Sequence, residues 1–205
     1  MVRTTQSIRA AVDALAQREP AFARVVKAHG HPEPRSSEPG AVTLLRTIVG
    51  QQVSVAAARS MWAKLEAAFG APPDLAKLLA ATDEDLRAVG MSRQKSGYIR
   101  SLAQLVLSGE LDLSKLPEDD EEAIALLTRI KGIGRWSAEI YLLFAEGRPD
   151  VWPAGDLAVQ IEVGRILGLP ERPSEKLTRA VAESWRPHRG AAAIMAWHHY
   201  NIEVI

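Results

Sequence analysis

The chain has 205 residues, no cysteine, 47% hydrophobic residues, and 25 basic against 25 acidic side chains. The absence of cysteine excludes disulfides, thiolate zinc fingers and cysteine-held iron–sulfur clusters. A net charge of zero is not the usual footprint of a nucleic-acid binder, so any basic surface must be local. No run of about 18 apolar residues is present, so no membrane span is expected. The opening segment, MVRTTQSIRAAVDALAQ, has no apolar signal core, which predicts a cytoplasmic protein, nucleoid-associated if the source is bacterial.

Apolar residues recur at three- and four-residue spacing nearly throughout, the period of amphipathic helices. Ile8, Val12 and Leu15 make a first stripe, and Phe22, Val25 and Val26 a second. A loose stretch over 29–40, HGHPEPRSSEPG, follows. Leu44, Leu45, Ile48 and Val49 form the next stripe, then a polar turn begins at Gln51 and Gln52. Met61, Trp62, Leu65 and Phe69 continue up to Gly70 and a Pro pair at 72–73. Thr82 with Asp85 reads as a capping box opening a short helix. Ile99, Leu102, Leu105 and Val106 form a long stripe. Pro117 and the acids after it predict another helix start, because carboxylates favour the positive end of the helix dipole. Ile161, Ile166 and Leu167 stop at Gly168, and Pro173-Ser174 and Pro187 open the last two helices. No alternating strand pattern is found. The expectation is an all-α fold of about ten helices joined by short turns.

The most informative stretch is 126–156, LLTRIKGIGRWSAEIYLLFAEGRPDVWPAGD. A helical run ends near Lys131, Gly132-Ile133-Gly134 makes a tight hairpin, and a second helix starts near Arg135. Glycines let the backbone approach closely whatever docks there. The second helix begins with unpaired N–H groups and a positive dipole end, which favour an anion such as a phosphate. Arg129, Lys131 and Arg135 lie in an acid-free span over 123–138, so a basic island coincides with the hairpin. A second acid-free span, 86–109, carries Arg87, Arg93, Lys95 and Arg100. Either island alone reads as an ordinary solvated helix face. The segment from Leu86 through Gly90 to Ser92 loosely echoes the hairpin, as a degenerate copy that braces or as chance.

Three blocks resemble the helix-hairpin-helix DNA glycosylase superfamily, and within it the alkylpurine branch of 3-methyladenine DNA glycosylase II. They are TIVGQQVS over 47–54, KGIGRWSA over 131–138 with Asp156 beyond it, and WRPHR over 185–189 with Trp197. The resemblance covers about residues 20–200. It implies a two-lobed helical bundle with an active-site cleft between the lobes. One glycosylase unit of 1–205 would divide into 40–148, carrying the hairpin at about 127–146, and a second subdomain of 1–39 plus 149–205. It resembles the compact form, without the N-terminal β-rich domain of longer members, and a monomer is expected.

The resemblance also implies roles. Breaking a base–sugar bond leaves positive charge on the deoxyribose, and a carboxylate aimed there stabilises it and orients water. Asp156 would be that group; read from the residues alone it is an N-cap for the helix over 157–167, and the two roles are compatible. Position 136 carries a lysine in members that also cleave the backbone, by Schiff-base chemistry. Trp136 cannot do this, which predicts a monofunctional enzyme; its indole would wall a flipped base, or simply fill a core. Trp197 matches a second pocket aromatic. His198 and Ile140 stand where relatives often carry Tyr, leaving the pocket less aromatic. Gln52, beside Gln51, would plug the gap left by the flipped base, or serve as a polar turn residue. Backbone N–H groups around Gly132, Ile133, Gly134 and Ser137 would anchor phosphates, with Lys131 and Arg135 adding charge. The partner implied is double-stranded DNA containing alkylated bases. No cofactor is expected beyond a monovalent cation on hairpin carbonyls. The five histidines, His29, His31, His188, His198 and His199, form no ligand set at metal spacing and read as surface or packing residues, with His198 at the pocket.

Overall fold

The computed structural model describes residues 5–203, and among these the chain is helical with no strand. In order, the helices are α1 (Thr5–Arg18), α2 (Pro20–His29), α3 (Ala41–Gly50), α4 (Val55–Phe69), α5 (Leu75–Ala80) and α6 (Asp83–Ala88). Then come α7 (Arg93–Leu107), α8 (Asp120–Leu127), α9 (Arg135–Phe144), α10 (Leu157–Leu167), α11 (Glu175–Val181), a 3-10 turn (Ala182–Trp185) and α12 (Arg189–Glu203). Short polar side chains set most of the starts. Ser54, Asp74, Thr82, Ser92, Asp119, Asp156 and Ser174 each accept the backbone N–H three residues on, satisfying a donor the helix leaves orphaned. At Thr82 the Asp85 side chain returns the bond, completing the capping box.

Three boundaries differ from the sequence expectation. α8 starts at Asp120, because Asp119 outcompetes its acidic neighbours as the cap. α12 starts at Arg189 and not at Pro187, since the His188 amide donates to Trp185 and makes a turn first. α5 carries no apolar stripe long enough to read, only one buried residue, Leu78.

The chain forms two compact units. Glu38–Tyr141 is built around α7, on which α3, α5 and α6 pack. Its fully buried side chains include Leu44, Leu45, Ile48, Leu65, Leu78, Leu86, Ile99 and Leu102. The second unit combines 1–37 with 142–205. There α1 packs on α2 and α12, and α10 packs on α12. Its core holds Ile8, Val12, Leu15, Phe22, Val159, Val163 and Met195. An aromatic column braces it: Phe22 meets Trp185 edge-on at 5.0 Å, and Trp185 meets Trp152 edge-on at 5.5 Å. The chain passes from one unit to the other inside α9, whose last residue, Phe144, packs on Trp197 at 5.6 Å. Among the described residues no helix is long and apolar enough to cross a membrane.

Candidate active site

In the unit of 38–141 the hairpin lies against α7. Gly132 sits at φ 85°, a conformation that favours glycine, and a Cβ there would fall 2.2 Å from the Tyr98 ring. The Lys131 amide donates to Ser101 Oγ at 3.1 Å. Gly134 is different: a Cβ on it would meet nothing within 4 Å, so its outward side is open. α9 then begins at Arg135.

The turn between α3 and α4 is tied to this hairpin. Gln51 Nε2 donates to the Gly132 carbonyl at 2.7 Å. Buried Lys95 donates through Nζ to the Val49 carbonyl at 2.7 Å, and desolvation pushes its ammonium below the usual lysine pKa. Between these anchors Gln52 is exposed and adopts φ 56°, the single positive φ among non-glycine residues described. A groove of about 910 Å³ runs between the turn and the hairpin, and Arg46, Gln51, Gln52, Tyr98, Trp136 and Ser137 line it. Trp136 is 48% exposed, whereas Ser137 is buried. Ile133 is buried and Ile140 half-buried. Lys131 is exposed. Arg135 is engaged internally: its guanidinium grips Glu121 bidentately and reaches Glu139 at 2.9 Å, and these acids raise its pKa further. The positive end of α9 is therefore backed by Lys131 and by backbone N–H groups more than by Arg135.

A cation at this hairpin would be held by backbone oxygens. The Ile130 carbonyl accepts from Ile133 N–H and the Gly132 carbonyl from Gln51, and each oxygen keeps a second lone pair. Among the described residues no three His, Asp or Glu side chains gather to hold a metal.

In the other unit the loop over 145–156 carries Asp156 to the start of α10. Asp150 accepts from Arg189 Nε at 3.0 Å and Arg186 Nη1 at 2.7 Å, which gives the WRPHR segment its part. Trp152 Nε1 donates to the Thr178 carbonyl at 3.0 Å, and Gln160 Nε2 to the Ala154 carbonyl at 2.8 Å. The loop is thus fixed on both sides before it reaches Asp156. There one carboxylate oxygen, Oδ1, accepts the Val159 amide at 2.9 Å and the Trp197 indole N–H at 3.2 Å. The carboxylate is half-buried, flanked by exposed Gly155 and Leu157. Trp197 also lines a small hollow of about 110 Å³ with Phe144, Ile194, Pro32 and His198, rimmed by Glu33, Arg35 and Asn201. His198 donates through Nε2 to the His29 carbonyl at 3.1 Å.

Asp156 and Trp197 are brought together, as are Gln51, Gln52, Gly132, Trp136 and Ser137. Reading the residues alone missed Tyr98, Phe144, Asp150 and Lys95. Only the basic span over 86–109 hinted at one of them, and Lys95 proved to be buried.

Residues 45–187 match the family model described as HhH-GPD superfamily base excision DNA repair protein. A putative DNA-3-methyladenine glycosylase, YfjP, of Bacillus subtilis is 28% identical over 162 residues, which are 75% of this chain and 56% of that protein. DNA-3-methyladenine glycosylase 1 of Schizosaccharomyces pombe is 32% identical over 158 residues, covering 75% of this chain and 69% of that protein. The chain thus matches little more than half the length of the first relative. Among solved structures, a DNA-3-methyladenine glycosidase of Bacillus halodurans superposes with a TM-score of 0.87 at 29% identity, over 95% of this chain and 90% of that one. The S. pombe 3-methyladenine DNA glycosylase Mag1 in complex with abasic DNA superposes with a TM-score of 0.78 at 28% identity, over 95% and 97%.

Proposed function

The chain belongs to the HhH-GPD superfamily of base excision DNA repair proteins, and from that premise we propose that it is a monofunctional DNA glycosylase for alkylated purines. Its substrates are double-stranded DNA carrying bases of the 3-methyladenine and 7-methylguanine type, and it works in the cytoplasm, on the nucleoid if the cell is bacterial. The observation that carries the reading is Asp156: a half-buried carboxylate at the end of a braced loop, with Oδ1 held by Val159 and Trp197.

An N3- or N7-alkylated purine is already cationic, so it can leave with the bonding pair and needs no acid. Positive charge then builds on the sugar. Asp156 stabilises it with little reorganisation, because two donors and a capped helix hold its plane in advance. A water adds to the anomeric carbon and gives its proton to the carboxylate or onward to solvent. The hairpin contributes sequence-independent grip on phosphate through backbone N–H groups at Gly134 and the start of α9. Gln52, projecting on a strained turn, fills the stack once the base is out. Trp136 offers a π face to a cationic base.

The test is direct. The protein is incubated with methylated duplex DNA and the released bases are identified by chromatography. Free methylpurines in the supernatant are expected. Intact DNA binding with no base released would reduce the protein to a DNA-binding module.

A further inference from the structure

Glu162 is the charge this fold has least need of. It is 0% exposed on α10, among buried Val159, Val163 and Ile166. A buried carboxylate is a poor stabiliser, and an apolar side chain of similar size usually serves the fold as well or better. Yet Glu162 is fully partnered. Oε1 accepts Arg165 Nη1 at 2.7 Å, and Oε2 pairs with His199 Nδ1. In this pairing the His199 ring N–H donates and the carboxylate accepts from two sides.

His199 stands two residues beyond Trp197 on α12, and Glu162 stands on the helix that Asp156 caps. The same two helices are therefore stitched twice, by Trp197 to Asp156 and by His199 to Glu162. Residues two apart leave a helix about 200° apart. The stitches come off opposite flanks of α12 and together resist its rotation in either sense. The flank of His199 is further set by the His29 ring, edge-on at 5.1 Å. Rotation of α12 that moved the Trp197 indole off Asp156 would also leave the buried Glu162 charge short of a donor.

We propose that Glu162 and His199 are positioning residues: their pair sets the rotation of α12, which holds the Trp197 indole on Asp156 and so fixes the carboxylate for base release. The inference rests on the glycosylase reading.

The experiment uses the full chain and a duplex bearing one N7-methylguanine, under single-turnover conditions with enzyme varied to saturation. Replacing both partners, Glu162→Leu with His199→Leu, leaves no buried charge unpaired, and the melting temperature should hold or rise. The saturating rate should nonetheless fall roughly ten- to a hundredfold, as for a misplaced reacting group. The half-saturating enzyme concentration should stay within about twofold. Added to Trp197→Phe, the double replacement should cost no more than Trp197→Phe alone, since one hold is being lost. His199→Asn, whose amide N–H lies where the ring Nδ1–H lies, should keep the rate within about threefold while His199→Leu does not; this pair decides the matter if the double variant fails to fold. A double variant at the wild-type rate, or losses that add in full to Trp197→Phe, would overturn the proposal and leave the glycosylase reading standing. A wild type that releases no base takes both down.

Discussion

Trp197 donates its indole N–H to the same Asp156 oxygen that accepts the Val159 amide, at 3.2 and 2.9 Å. One atom therefore caps α10, holds the Trp197 indole and belongs to the carboxylate proposed to do the chemistry. The N-cap reading and the catalytic reading of Asp156 are two descriptions of one placement.

That placement makes Asp156→Asn a clean test. Asparagine caps a helix as well as aspartate does, and its carbonyl oxygen can still accept from Val159 and Trp197. Only the negative charge is lost. The melting temperature and affinity for lesion DNA should hold, while single-turnover base release falls by at least roughly 10²-fold. A variant with near-normal release would remove Asp156 from the mechanism.

The product should be an intact abasic strand. On the proposed reading Trp136 stands where members that also cleave the backbone carry a lysine, and it lines the groove half-exposed with no amine to offer. Borohydride added during turnover should trap no protein–DNA adduct, and the strand should break only on later alkali treatment. A covalent adduct in substantial yield would show a lyase.

What was legible in the sequence was mostly local. Thr82 with Asp85, Ser174, Asp156 and the glycine hairpin were readable because a cap or turn depends on residues three or four apart. The residues that tie those elements together were not. Tyr98 covers Gly132 from a different helix, 34 positions back along the chain. Phe144 finds Trp197, and Glu162 finds His199, only after the chain folds back on itself. His199 therefore looked like a surface or packing histidine, while its partner looked like one more helical acid. Arg135 looked free to add charge at a phosphate because the acid it grips bidentately, Glu121, lies 14 positions back along the chain.

The two hairpin glycines should behave in opposite ways. Gly132→Ala forces a methyl group against the Tyr98 ring at a φ of 85°. Denaturant unfolding should show a loss of about 1–3 kcal/mol. A midpoint unchanged from wild type would mean that Tyr98 does not press on the hairpin in solution.

Gly134→Asp, by contrast, adds its side chain to open space, so the fold should stand. On the proposed reading the added carboxylate stands where a phosphate would approach the hairpin. Binding should weaken to lesion and undamaged duplex alike, and the affinity of the unchanged protein should fall as salt rises, because phosphate contacts release counterions. Titrations of both duplexes at two salt concentrations decide it. If the variant loses only its preference for the lesion, the hairpin is not the anchor.

Gln52 carries the last test. A non-glycine residue at φ 56° holds strain on the order of 1 kcal/mol, so a turn kept for the fold alone would do better with glycine. Gln52→Gly should therefore stabilise the protein slightly while removing the side chain proposed to fill the stack. Gln52→Ala removes the same side chain but keeps the strain. If Gln52 is the plug, both variants should slow capture of the extrahelical base yet barely change hydrolysis once the base is bound, because Asp156 lies in the other unit and is untouched. Flipping from a sound pair costs a few kcal/mol more than from a mismatch, so the plug should matter most there. Base release from a paired, a mispaired and a single-stranded lesion should then show a graded defect, largest in the first and smallest in the third, for both substitutions. An equal loss on all three substrates, or a defect in Gln52→Ala that Gln52→Gly repairs, would mean that the residue serves the turn and not the DNA.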